Sequence, residues 1–127
     1  MNELVNPTDL AAPAANYSHG VVAAQAERVL YTSGVVPTRA DGSVPADLAD
    51  QAATVWANLA AITKSAGFDT GDVVSVTTYV VAGHDLGVVM AARDKAMAGH
   101  KPASTLVVVP SLARPEWKME IALVAAR

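Results

Sequence analysis

The 127 residues are 52% apolar and 17% charged, with a formal net charge of -3. That composition fits one compact domain over residues 1–127, and a chain this long buries roughly two thirds of the surface its unfolded form exposes, so no disulfide or structural metal is needed. The absence of Cys removes thiolate zinc sites, redox pairs and a cysteine nucleophile, and the scattered Lys and Arg residues form no basic stripe for nucleic acid.

The chain opens on Met1-Asn2-Glu3-Leu4-Val5-Asn6, with no basic start and no long apolar run. Nowhere do about 18 apolar residues follow one another, so neither a signal peptide nor a membrane-spanning helix is expected, and the cytoplasm is the default location. Two short β-prone runs, Ser18 to Ala24 and Arg28 to Ser33, are separated by Gln25-Ala26-Glu27, which predicts a hairpin. Asp41-Gly42 marks a turn. After Pro45, the residues Leu48, Ala52, Val55, Leu59 and Ile62 recur at helical spacing until Gly67. They predict one amphipathic helix of about 19 residues, or about 28 Å. From Asp72 to Val81 both alternating sets are largely apolar or Thr, as expected of a central strand covered on two sides. Asp85 can cap a second helix, with Leu86, Val89, Met90, Arg93 and Met97 on one side and Gly99 beyond its end. Thr105 to Val109, bounded by Pro102 and Pro110, and Lys118 to Ala126 complete the order ββαβαββ.

That order predicts an α/β (α+β) domain, a sheet with two helices on one face. The other face is then bare. Mean hydropathy is +0.30, and the last strand offers Ile, Leu, Val, Met and Ala on both sides. Further copies of the chain are the expected cover, and a site between subunits follows naturally.

Glu120 is the most informative single residue. In Met119-Glu120-Ile121-Ala122-Leu123-Val124, period 2 places its carboxylate on the face of Ala122 and Val124, where burial without a partner is costly. Two readings stay open: an edge charge that reaches water, or a carboxylate at the rim of an intersubunit cleft that holds a water or exchanges a proton. Tyr17-Ser18-His19 places polar groups at an element boundary. Ser33-Gly34 ends a strand where a backbone can approach a ligand closely. Ser104-Thr105 opens a strand and is either a structural start or a hydroxyl facing the same cleft as Glu120. His19, His84 and His100 lack ligand spacing, so no metal is expected. Serine-hydrolase elbows, phosphate-cradling loops and dinucleotide fingerprints are absent from the sequence.

Ala12-Pro13, Asn16-Tyr17-Ser18-His19-Gly20-Val21, Tyr31-Thr32-Ser33-Gly34 with Pro37, Gln51-Ala52, Asn58-Leu59, Ala66-Gly67, Asp72-Val73-Val74, Thr77-Thr78, Pro102-Ala103 and Glu120-Ile121 follow one another in a specific order. Together they resemble the RidA/YjgF/YER family, formerly called endoribonuclease L-PSP. The resemblance implies a chorismate-mutase-like fold, a homotrimer without cofactor, and small-metabolite pockets between subunits. Members with known activity hydrolyse reactive enamines and imines to keto acids and ammonia. In them an Arg after Pro-Ala grips the substrate carboxylate, a Glu on the last strand positions the attacking water, and the Tyr and Ser-Gly positions line the pocket.

By that resemblance, Tyr17, Ser33, Gly34 and Glu120 match the family pattern, with Glu120 the catalytic residue. The Arg position holds Ser104, followed by Thr105 and Leu106; Val35 stands where Gln is usual, and Met90 where a helix Asn is frequent. Losing a buried Arg–carboxylate contact costs on the order of 2 to 5 kcal/mol. The expected substrate is therefore neutral or carries its anion elsewhere, and activity on free 2-imino acids should be weak. Lys101 and Arg114 read as solvated charges. A trimer that binds a metabolite without turnover is the alternative, while the acidic charge and few aromatics argue against an endoribonuclease.

Overall fold

The computed structural model describes residues 2–127. The elements are β1 (Asn2–Val5), β2 (Gly20–Ala23), β3 (Val29–Tyr31), α1 (Leu48–Ala66), β4 (Val73–Val81), α2 (Leu86–Met97), β5 (Ala103–Val109) and β6 (Met119–Ala126). A four-stranded sheet of order β3-β6-β4-β5 forms the centre, and β1 pairs with β2 in a separate ribbon. Strands β4 and β5 are parallel and joined through α2, whereas β6 runs antiparallel to both β4 and β3.

Both helices lie on one face of this sheet. Ala52, Val55 and Leu59 of α1 and Val89 of α2 are at most 1% exposed, as are Val76 and Val80 of β4 and Met119 and Ile121 of β6. The other strand face, with Ser75, Thr77 and Tyr79 of β4 and Glu120, Ala122 and Val124 of β6, is only half-buried. The helix boundaries follow local chemistry. Gly67 adopts φ 81°, and the N–H groups of Gly67 and Phe68 close the last turn of α1 on the carbonyls of Lys64 and Thr63. Asp85 Oδ1 accepts from Gly87 N at 2.9 Å, capping α2. In the Asp41-Gly42 turn, the hydroxyl and N–H of Ser43 donate to Asp41 and hold its carboxyl below the usual carboxylate range.

Three expectations need correction. The runs around β2 and β3 form no hairpin, because β2 is taken by β1, a short strand whose Asn-Glu-Leu-Val sequence carries little β signal. Between them, Glu27 N and Arg28 N both donate to Arg127 O, which turns the chain onto the end of β6 instead. The order is consequently βββαβαββ. Finally, within one chain β4 is covered by helices on one side only.

Gln51 shows how the helix layer sets the sheet. It is 0% exposed, donates from Nε2 to Pro45 O and Glu116 O at 2.8 Å each, and accepts from Lys118 N at 2.9 Å. Those bonds fix the segment that leads into Glu120. Gln51→Leu keeps the volume but removes the partner of three backbone groups, one buried and two partly buried, so urea unfolding should report a loss of about 2 to 5 kcal/mol.

Candidate functional site

Glu120 sits beside a break in regular pairing between β6 and the segment after β3. Thr32 N donates to Leu123 O, and Val35 and Ile121 exchange both backbone bonds. Three steps from Thr32 to Val35 thus face two from Leu123 to Ile121, and the extra residue produces a bulge at Ser33-Gly34. The bulge is held firmly: Thr32 Oγ1 donates to Ser33 O and accepts from Leu123 N. From α1, Asn58 Nδ2 donates to Val36 O and Thr38 O.

The Glu120 carboxylate lies directly over Gly34. A Cβ built on Gly34 would overlap Glu120 Oε2 and stand 3.1 Å from its Cδ. Glycine is needed here for close approach, since its φ is not in the left-handed region. Among the described residues Glu120 takes part in no ion pair. A half-buried carboxylate placed in this way keeps its lone pairs for a water or ligand. A shallow groove lined by Gly34, Arg39, Asn58 and Ile62 opens beside it. Tyr79, which the sequence reading did not single out, stands opposite Glu120 on β4 and shares its face.

Ser104 belongs elsewhere. It pairs with Val76 of β4, so its side chain faces the helices, as does Leu106, which packs against the core. Thr105 points to the bare face with Thr77. At Ser104 waits a group the sequence reading had assigned only to a helix face: Arg93 of α2 donates from Nη1 to Ser104 Oγ at 3.2 Å and is 5% exposed. Its Nε and Nη2 donate to Asp94 Oδ1 at 3.3 and 3.1 Å, and Asp94 Oδ2 accepts from Asn16 Nδ2 at 3.0 Å. Asn16 brings Tyr17 to this end of α2, while Ser18 N donates to Pro102 O and pairs with Ala103. Met90 stands one turn before Arg93.

The sequence-predicted residues therefore fall into two groups. Ser33, Gly34 and Glu120 lie together at β6, and Tyr17, Met90, Ser104 and Leu106 gather around α2 and the start of β5. By strand spacing the groups are about 10 Å apart across the sheet and about 10 Å along it, with Glu120 and Ser104 on opposite faces. They do not meet within one chain. Lys101 is exposed, and Arg114 is 67% exposed, close to Glu116 and Trp117. His100 Nε2 lies 2.7 Å from Val73 O in a structural contact. A cavity of about 520 Å³ between α1 and α2, lined mostly by apolar residues such as Ala53, Trp56 and Ala96 together with Thr63, Thr70 and Lys95, is larger. It lies on the helix side, away from Glu120.

The fold defines a small α+β protein of the chorismate-mutase-like type, with Glu120 on its sheet and away from the larger cavity between the helices. The family model for Endoribonuclease L-PSP matches residues 8–127. The 2-iminobutanoate/2-iminopropanoate deaminase of Escherichia coli strain K12 is 35% identical over 103 residues, spanning 78% of this chain and 80% of that protein. Among solved structures, YyfB of Yersinia pestis, a Rid-family protein of unknown function, superposes with a TM-score of 0.89 at 30% identity, covering 99% of this chain and 98% of that one. TdcF of E. coli, solved with bound serine, gives a TM-score of 0.73 at 26% identity over 98% of both chains. The chain belongs to the RidA/YjgF family, which contains deaminases of reactive imines.

Gly34→Ala should push the Glu120 carboxylate into another rotamer while the fold survives, because the clash falls on the end of a flexible side chain. A crystal structure of the variant, with its melting temperature, checks this; an unmoved carboxylate would contradict it.

Proposed function

We propose that the protein is a RidA-like hydrolase that converts a small reactive imine or enamine to its carbonyl compound and ammonia, with Glu120 as the catalytic residue. The observation that supports this most directly is the Glu120 carboxylate, in no ion pair among the described residues and seated over Gly34 on the uncovered face of the sheet. A carboxylate there can hold a water and take its proton as the oxygen attacks the imine carbon. The carbinolamine so formed expels ammonia when the proton is returned to nitrogen. The relatives named as imine deaminases support the reaction class. Tyr17, Met90, Ser104 and Leu106 face Glu120 only if a neighbouring copy supplies one of the two groups. A homotrimer with a pocket between subunits satisfies that requirement and covers Val107, Tyr79 and Ala122. Position 104 offers only a hydroxyl, so an anion on the substrate must be held by another residue.

Glu120→Gln preserves size but removes the proton acceptor. Keto acid release from imines generated by an amino-acid oxidase should fall by about 10² to 10⁴ in this variant, with melting temperature and assembly unchanged. Undiminished release from a folded variant eliminates Glu120 as the base; ligand-dependent stabilisation without product would favour a binding protein. Light scattering should give three times the 13.0 kDa chain mass, and a stable monomer at micromolar concentration would remove the intersubunit pocket.

A further inference from the structure

Arg93 is a charged side chain held almost entirely out of water with its hydrogen-bonding capacity only partly used. A guanidinium has five N–H donors. Here Nε and Nη2 each donate to Asp94 Oδ1, and Nη1 donates to Ser104 Oγ, which accounts for three. Nη1 and Nη2 each keep a second N–H without an acceptor among the described residues, although the side chain is only 6% exposed. Leaving buried charged donors unmatched is costly, and such a pair is suited to one further oxygen acid. Asp94 grips the Nε side and is itself tied to Asn16, so the guanidinium is fixed in plane. From α2 it reaches Ser104 on β5, an edge strand of the sheet, one turn along the helix from Met90.

We infer that Arg93, oriented by Asp94 and Ser104, is the anion-binding residue of this protein and takes a small carboxylate on its two free N–H groups. The inference rests on the hydrolase reading for its ligand: the substrate is a carboxylate-bearing imine, and the expectation of weak 2-imino acid turnover, drawn from Ser104 alone, is replaced. On this assignment Ser104→Arg does not restore the family's clamp. A second guanidinium would meet Arg93 within contact distance, so that substitution repels rather than adds a clamp.

Binding without turnover tests this separately from Glu120. Pyruvate, the keto acid released from the simplest such imine, and neutral pyruvamide are titrated calorimetrically into the intact protein. The wild type should bind pyruvate at least about 30-fold more tightly, and Arg93→Gln should lose that preference. Ser104→Asp keeps Arg93 but presents it with a built-in carboxylate, so it should also lose the preference, with a melting temperature unchanged or raised; this variant decides the matter if Arg93→Gln does not fold. Equal binding of the two probes by the wild type, or a preference for pyruvate that survives in Arg93→Gln or Ser104→Asp, overturns the inference. Because Glu120 is untouched, none of these outcomes bears on its role as base. Conversely, Glu120→Gln that binds pyruvate selectively but releases no keto acid supports both assignments.

Discussion

Strand β6 runs through the interior of the sheet with Met119, Ile121, Leu123 and Ala125 sealed beneath the helices and Glu120, Ala122 and Val124 on the bare side. This alternation constrains the rest of the molecule. The sealed set fixes the register with β4, since slipping by one residue would drive Glu120 into the helix layer and expose Ile121. The fixed register in turn puts Glu120 opposite Tyr79 and against the bulge at Ser33-Gly34. Packing energy on one face thereby positions the carboxylate on the other, with no hydrogen bond to it among the described residues.

The second polar group is positioned differently. Arg93 is not set by strand alternation but by a side-chain network that spans three elements, from Asn16 through Asp94 to Ser104. Such a network fails more readily than a sheet register, because each bond contributes only modestly and the loss of one partner exposes the next. The two polar groups therefore differ in robustness as well as in place: the carboxylate depends on the hydrophobic core, the guanidinium on local polar contacts.

What could be read from the sequence follows the same division. Helical spacing from Leu48 to Gly67 and the β-branched run to Val81 translate directly into α1 and β4, because each signal is local and periodic. The face of Glu120 was legible for the same reason. The pairing of β2 with β1 was not, since a four-residue strand with two polar residues carries no usable pattern and its partner lies 15 residues or more away in the register. Gln51 and Asn58 were visible only as parts of a family resemblance, and the structure gives them physical meaning as ties between α1 and the loops that flank the site. Arg93 lay on a correctly predicted helix face, yet its proximity to Ser104 depends on how α2 docks on β5, a tertiary fact with no periodic signature.

The pairing of β6 with both β3 and β4 also governs how the chain can acquire its structure during synthesis. The last strand of the sheet in chain order separates two strands made much earlier, so β3 has no sheet partner, and β4 has only β5, until residues 119 to 126 emerge. Helix α1 can form early as a local element, but its apolar stripe has no β6 to rest on. Until β6 is made the nascent domain must remain an open, adhesive intermediate, and loss of that one strand by truncation or proteolysis would leave a product for chaperones and proteases rather than a smaller folded domain.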